Sequence, residues 1–138
     1  GSNPTAWLNQ QIQAWSSDMA SLVSAVKARA PKARIVVLNL PNLAALPYAS
    51  GYSLLEKQAL QQIAVGLNAG INATAGQGAI VVDMMCDSRL YSSSIFSSDG
   101  FHPNDAGYQL FADLAYAAAP TTALTAAPKS SCSYMSVF

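Results

Sequence analysis

Apolar residues recur every three or four positions between Leu8 and Val26: Leu8, Ile12, Trp15, Met19, Leu22, Val23 and Val26, with Asn, Gln, Ser and Asp between them. That spacing predicts an amphipathic helix over 4–29, ended by Ala30-Pro31. Trp7 and Trp15 lie on or beside the apolar stripe, which favours core packing over ligand stacking. The pattern then changes. Residues 34–40 (Arg-Ile-Val-Val-Leu-Asn-Leu) and 79–84 (Ala-Ile-Val-Val-Asp-Met) are short apolar runs rich in β-branched side chains, as in buried parallel strands.

Between the two runs, 41–51 reads as a loop beyond the C-terminal end of a strand, where open α/β sheets bind ligands. Asn42, Leu43 and Tyr48 are candidates to line a cleft there, with ordinary loop packing as the alternative. Ser53-Leu54-Leu55-Glu56 is a capping box, and it opens a helix predicted to about Ala75. Leu54, Leu55, Leu60, Ile63, Ala64, Leu67 and Ile71 form its apolar side. Gly66 and Gly70 weaken this helix and would allow close contact with a sheet. After the second strand comes a Ser-rich loop over 85–98, then a helix capped by Asn104 or Asp105 and running to about Ala119. Tyr108, Leu110, Phe111, Leu114 and Ala115 are expected on its inner face. Residues 120–138 are a Pro/Thr/Ala/Ser tail, either a surface wrap pinned by Cys132 or a disordered end.

The order helix, strand, helix, strand, helix implies parallel strands joined by crossovers, hence an α/β/α sandwich. Two strands make a poor sheet by themselves. The chain is therefore expected to be one portion of a larger domain, with 1–119 belonging to that domain and 120–138 a tail.

Composition narrows the function classes. Half the residues are apolar (51%) and only 10% are charged, with a formal net charge of zero. A nucleic-acid binder would need a basic face, and no Lys/Arg patch exists. No apolar run reaches the roughly 20 residues of a membrane span. The Ser/Thr-rich, Lys-poor chain and its two cysteines, Cys86 and Cys132, fit a secreted or periplasmic protein with one disulfide. Two unrelated free thiols are the alternative. Asn72-Ala73-Thr74 is a glycosylation sequon, relevant in a secreted eukaryotic protein.

The candidate chemistry lies in Ser98-Asp99-Gly100-Phe101-His102-Pro103-Asn104-Asp105-Ala106-Gly107-Tyr108, which contains the one histidine of the chain. An Asp-x-x-His step in a Gly/Pro-rich turn lets the carboxylate hold one imidazole nitrogen and frees the other to act as a general base. Asp99, His102, Pro103, Asn104 and Gly107 together resemble the C-terminal signature of the SGNH (GDSL-like) esterases and lipases.

The resemblance implies a three-layer α/β/α sandwich with a parallel, flavodoxin-like sheet, of which this chain would hold the C-terminal part. It also implies a serine esterase acting on carboxylic esters of lipid or acetylated carbohydrate. His102 would be the base and Asp99 its orienting partner, with a small-molecule ester as substrate and no metal or organic cofactor. The family's Gly-Asp-Ser nucleophile motif does not occur in this sequence, and Gly51-Tyr52-Ser53-Leu54-Leu55 lacks the second glycine of a Gly-x-Ser-x-Gly elbow. The nucleophile is then expected from an N-terminal segment or a complementary polypeptide, and this chain by itself should be inactive. Gly1-Ser2-Asn3-Pro4 reads as the family's Gly-x-Asn with proline in place of the following aspartate, which would make Asn3 an oxyanion donor. The same residues also read as a tag-removal scar followed by a helix start.

Two other classes stay open: a binding module that keeps the fold without the nucleophile, and a metal site of Asp83, Asp87, Asp99 and His102. No tight ligand spacing supports the second.

Overall fold

The computed structural model describes residues 4–120 and 131–136. Helix α1 spans Pro4–Arg29, strand β1 Val36–Leu38, helix α2 Leu54–Ala73, strand β2 Ile80–Val82 and helix α3 Asp105–Ala118. Helices and strands alternate as the patterning predicts, but both strands are shorter than their apolar runs. They pair in parallel with Val36 opposite Ile80, Val37 opposite Val81 and Leu38 opposite Val82. Backbone bonds continue at each end, from Ile80 N to Ile35 O (2.8 Å) and from Asn39 N to Val82 O (3.1 Å). Among the described residues this is a small parallel sheet of two strands.

One face of the sheet carries the main core. Val82, Met84, Leu46, Leu90, Ile95 and Phe96 are buried together, with Val36 and Leu38 of β1 and Leu110, Phe111, Leu114 and Ala118 of α3 packed against them. Side chains alternate along a strand, so Val37 and Val81 point to the opposite face, where Val81 is fully buried.

The α2 capping box is present. The Ser53 amide donates to Glu56 Oε2 at 2.8 Å, and the Glu56 amide donates to Ser53 Oγ at 3.4 Å. The helix ends at Ala73 and tightens into a 3₁₀ turn over Thr74–Gln77, closed by Gly78 at φ 85°. Gly66 and Gly70 serve a different contact from the expected one. They bring α2 against α1, not against the sheet: a Cβ on Gly70 would lie 2.8 Å from the Ser16 Cα.

Several apolar positions are more exposed than their spacing suggests. Trp7, Trp15, Leu22 and Val26 of α1, Leu54 and Leu55 of α2 and Tyr108 of α3 are all exposed. Periodicity identifies which side of a helix is apolar, and only Val23 of the α1 stripe is fully covered by this chain.

Candidate functional site

Three buried asparagines organise the C-terminal end of the sheet. Asn39, one residue past β1, accepts through Oδ1 from the amides of Met84 (2.6 Å) and Met85 (3.2 Å). Its Nδ2 donates to Asn72 Oδ1 at 3.1 Å. Asn68 of α2 forms a two-way clasp on the next residue, accepting from Leu40 N and donating to Leu40 O, both at 2.7 Å. Side-chain amides thus satisfy backbone groups just beyond both strands, Leu40 after β1 and Met84 and Met85 after β2, where burial without a partner would be costly. The sequon Asn72-Ala73-Thr74 is absorbed into this architecture. Asn72 accepts from Asn39, and the buried Thr74 hydroxyl donates to Ile71 O at 2.6 Å.

Asn42, a candidate cleft residue, is fully buried and structural. Its Nδ2 donates to Gln61 Oε1 (3.1 Å) and Tyr134 O (2.7 Å), and its amide donates to the Tyr91 hydroxyl (2.9 Å). Tyr91 in turn donates to Met85 O at 2.6 Å and stacks on Tyr134, the ring centroids 4.0 Å apart. Burial pushes the Tyr91 phenol up to about 12. A disulfide joins Cys86 to Cys132, so residues 131–136 are docked on the loop that follows β2.

The Asp99–His102 turn is built almost entirely from its own backbone. Gly100 adopts φ 70°, a left-handed conformation that closes the turn without a side-chain penalty. Asp99 Oδ1 accepts from the amides of Phe101 and His102, both at 2.9 Å. The other oxygen, Oδ2, lies 2.6 Å from His102 Nδ1. These donors, with the imidazole contact the strongest, hold the Asp99 carboxyl down at about 2. A carboxylate can only accept, so His102 Nδ1 carries the hydrogen of this bond.

The turn is fastened on three sides. Ser97 N donates to His102 O at 2.8 Å, and Gly100 O accepts from Tyr48 N at 3.1 Å. Asn104 does the most: its Oδ1 caps α3 through the Gly107 amide (3.0 Å), while Nδ2 donates to Ser94 O (2.9 Å) and Phe96 O (3.0 Å). Of the two expected caps, Asn104 is the one used. At Gly107 any side chain would meet Pro103 and the Ile95 carbonyl, which explains glycine at that position.

Residues 1–110 match the model of the GDSL-like Lipase/Acylhydrolase family. The chain belongs to that family. No curated protein and no solved structure matches the chain. The matched span of this GDSL-like chain includes the Asp99–His102 turn and ends inside α3. Membership implies the SGNH α/β fold, of which the parallel pair β1–β2 and its helices form a part.

Among the sequence-derived site residues, Asp99 and His102 are brought together and Asn3 lies outside the described residues. Asp83 and Asp87 are elsewhere engaged: Asp83 Oδ1 accepts from Cys86 N at 3.2 Å, and Asp87 pairs with Arg89 at 2.5 Å. Among the described residues no three His, Cys, Asp or Glu side chains are grouped to hold a metal. None of the helices is long and apolar enough to cross a membrane, again among the described residues.

Of the row of aromatic rings beside the histidine, sequence singled out only Tyr48, as a candidate to line a cleft. Phe101 meets His102 edge-to-face at 5.0 Å, Tyr48 meets Phe101 at 5.0 Å, and Tyr52 meets Tyr48 at 5.7 Å. The rings come from two separate segments, Tyr48 and Tyr52 in one and Phe101 with His102 in the other, and no local pattern links the two.

Proposed function

We propose that this GDSL-like chain carries the base and orienting residue of a serine ester hydrolase. The observation that carries the reading is the 2.6 Å contact of Asp99 Oδ2 with His102 Nδ1, in a turn whose carboxylate also accepts two backbone amides. With Nδ1–H directed at Asp99, Nε2 is the nitrogen that faces a serine hydroxyl.

In this mechanism the serine hydroxyl attacks the carbonyl carbon of the ester, and its proton passes to Nε2. The resulting imidazolium is stabilised by the Asp99 carboxylate. Collapse of the tetrahedral intermediate breaks the bond to the alcohol oxygen, which takes the proton from Nε2. Water then attacks the acyl-enzyme and gives its proton to Nε2; the acyl–Oγ bond breaks, Nε2 returns the proton to the serine oxygen, and the carboxylic acid leaves. Asn3, next to the first residue of α1, would donate to the oxyanion.

The nucleophile belongs to a segment outside these residues. Two features support this: the chain has no Gly-Asp-Ser, and among the described residues the sheet has only two strands. The exposed apolar residues of α1 agree with further structure packed over that helix. The disulfide fits an extracellular or periplasmic setting. The absence of Gly-Asp-Ser equally favours a second reading, a module that keeps the fold without the chemistry.

Treatment of the native material with a fluorophosphonate, followed by intact-mass analysis, separates these possibilities. The hydrolase reading expects a covalent adduct on a polypeptide containing Gly-Asp-Ser, lost on His102→Gln, and none on residues 1–138. An adduct on a serine of this chain would overturn the assignment of the nucleophile. No adduct on any polypeptide would leave the binding module.

A further inference from the structure

We propose that the Asp99–Gly100 peptide is a modification site, at which Asp99 converts to isoaspartate once the turn around it opens. Asp99–Gly100 is the one Asp-Gly step in the chain, and no Asn-Gly step occurs. Glycine has no side chain to shield its amide nitrogen from the preceding carboxyl, so this step cyclises more readily than other aspartyl peptides. The Asp99 side chain is 49% exposed, which leaves room for a ring and for water.

The fold imposes this dipeptide. Three donors call for a carboxylate at Asp99: the amides of Phe101 and His102 at Oδ1 and the imidazole at Oδ2. Gly100 is required by its φ of 70° and by Tyr48, whose nitrogen would lie 2.7 Å from a Cβ. The residues that build the turn are therefore also the pair most prone to alter it.

The conversion needs only water. The Gly100 nitrogen attacks Cγ of the protonated Asp99 carboxyl, so that an N–Cγ bond forms and a Cγ–O bond breaks. The departing oxygen takes the acid proton and the amide proton and leaves as water. Water then adds to the main-chain carbonyl of the five-membered imide, and the bond from that carbonyl to the Gly100 nitrogen breaks. The main chain now runs through Cγ, one methylene longer, and the carboxylate sits on Cα.

Each hydrogen bond of the turn opposes the first step. Gly100 N donates to Ser97 O at 3.0 Å, so its proton is engaged and its direction fixed. The Asp99 oxygens are held towards Phe101 and His102. The same donors keep the carboxyl at about 2, and an ionised carboxylate has no hydroxyl to lose. His102 is thus a guard of Asp99 as well as its partner. Asp87–Ser88 is the internal comparison, because its carboxylate is held by Arg89 and is 17% exposed. The conversion is independent of any catalytic role. That it would end activity rests on the assignment of Asp99 as the residue orienting the base.

The test is incubation of the 138-residue chain at neutral pH, native and in urea, beside native His102→Ala. Peptides containing Asp99–Gly100 and Asp87–Ser88 are separated after proteolysis. Isoaspartate is read as a retention shift at unchanged mass, and electron-transfer fragmentation places it. Conversion of Asp99 is expected to be slow in the native chain and faster in urea. In His102→Ala with unchanged circular dichroism it should be about tenfold faster, as loss of one charge-assisted hydrogen bond implies. Asp87 in that variant should keep its native rate. Equal rates at Asp99 in native and unfolded chains, or no conversion in either, would overturn the proposal even if the variant does not fold. A folded variant converting at the wild-type rate would do the same. In the complete enzyme, isoaspartate at Asp99 with undiminished fluorophosphonate labelling would keep the modification site and remove Asp99 from the mechanism. Labelling that falls in step with conversion would support both.

Discussion

The amide of Tyr48 donates to the carbonyl of Gly100 at 3.1 Å, and this bond joins the loop after β1 to the turn that carries Asp99 and His102. The two segments approach so closely that a Cβ on Gly100 would lie 2.7 Å from the Tyr48 nitrogen. The loop after the first strand and the candidate base are coupled there by a backbone bond and by the contact of the Tyr48 and Phe101 rings.

Gly100→Ala should therefore act twice, through the φ of 70° and through the contact with Tyr48. A loss of about 2 kcal/mol in folding stability is expected for a residue forced into this conformation against a backbone atom. Urea denaturation measures it, and hydrogen exchange should find the Tyr48 amide less protected. An unchanged midpoint would mean that the turn is free to rearrange.

The Asp99 carboxyl is held at about 2, chiefly by the imidazole and then by two amides, against an ordinary value of 3.8. Its contribution to stability is fully present above the ordinary value and disappears as the pH falls through the lowered one. Carboxyl carbon NMR should accordingly find the Asp99 midpoint near 2. A midpoint close to 3.8 would contradict the hydrogen bonding of the turn. In Asp99→Asn the amide cannot stabilise an imidazolium, and esterase activity of the complete enzyme should fall by a factor of about 10⁴.

Reduction of Cys86–Cys132, or Cys132→Ser, opens a loop with a sequence separation of 46. Chain entropy alone makes this a loss of about 4 kcal/mol, readable as a lower thermal midpoint. Release of Tyr134 also uncovers Tyr91, whose phenol is raised to about 12 by burial. Its titration should move towards 10 on reduction. With the disulfide intact, the Tyr91 contribution is complete below 10 and is lost as the pH rises through 12. A Tyr91 titration indifferent to reduction would show that the tail does not cover it.

What was legible in the sequence divides according to the range of the interactions. Helix α1 occupies Pro4–Arg29 as its spacing predicts, and the Ser53–Glu56 box is formed, because both depend on neighbours within one turn. The Asp99–His102 pair was legible for the same reason, since all the Asp99 bonds lie within four residues. Exposure was not. Leu22, Leu54, Leu55 and Tyr108 have the right period, but whether another element covers them is a tertiary matter. The polar core was also hidden. Asn39 and Asn72 meet across a separation of 33, and a polar residue at a strand end resembles any loop residue until its partners are placed. Tyr48 was named as a cleft candidate, but its contact with Phe101 was missed in the same way, because the two meet only in three dimensions.

The parallel pairing of Val36 with Ile80 has a consequence for the order in which the molecule assembles. A parallel pair cannot zip from a hairpin, and here the whole of α2 must be spanned before the first strand contact forms. Closing that span costs entropy before any contact offsets it, whereas helices and tight turns need only nearby residues. The sheet is thus expected to form late in folding, and the four-residue turn that holds the carboxylate against the imidazole early.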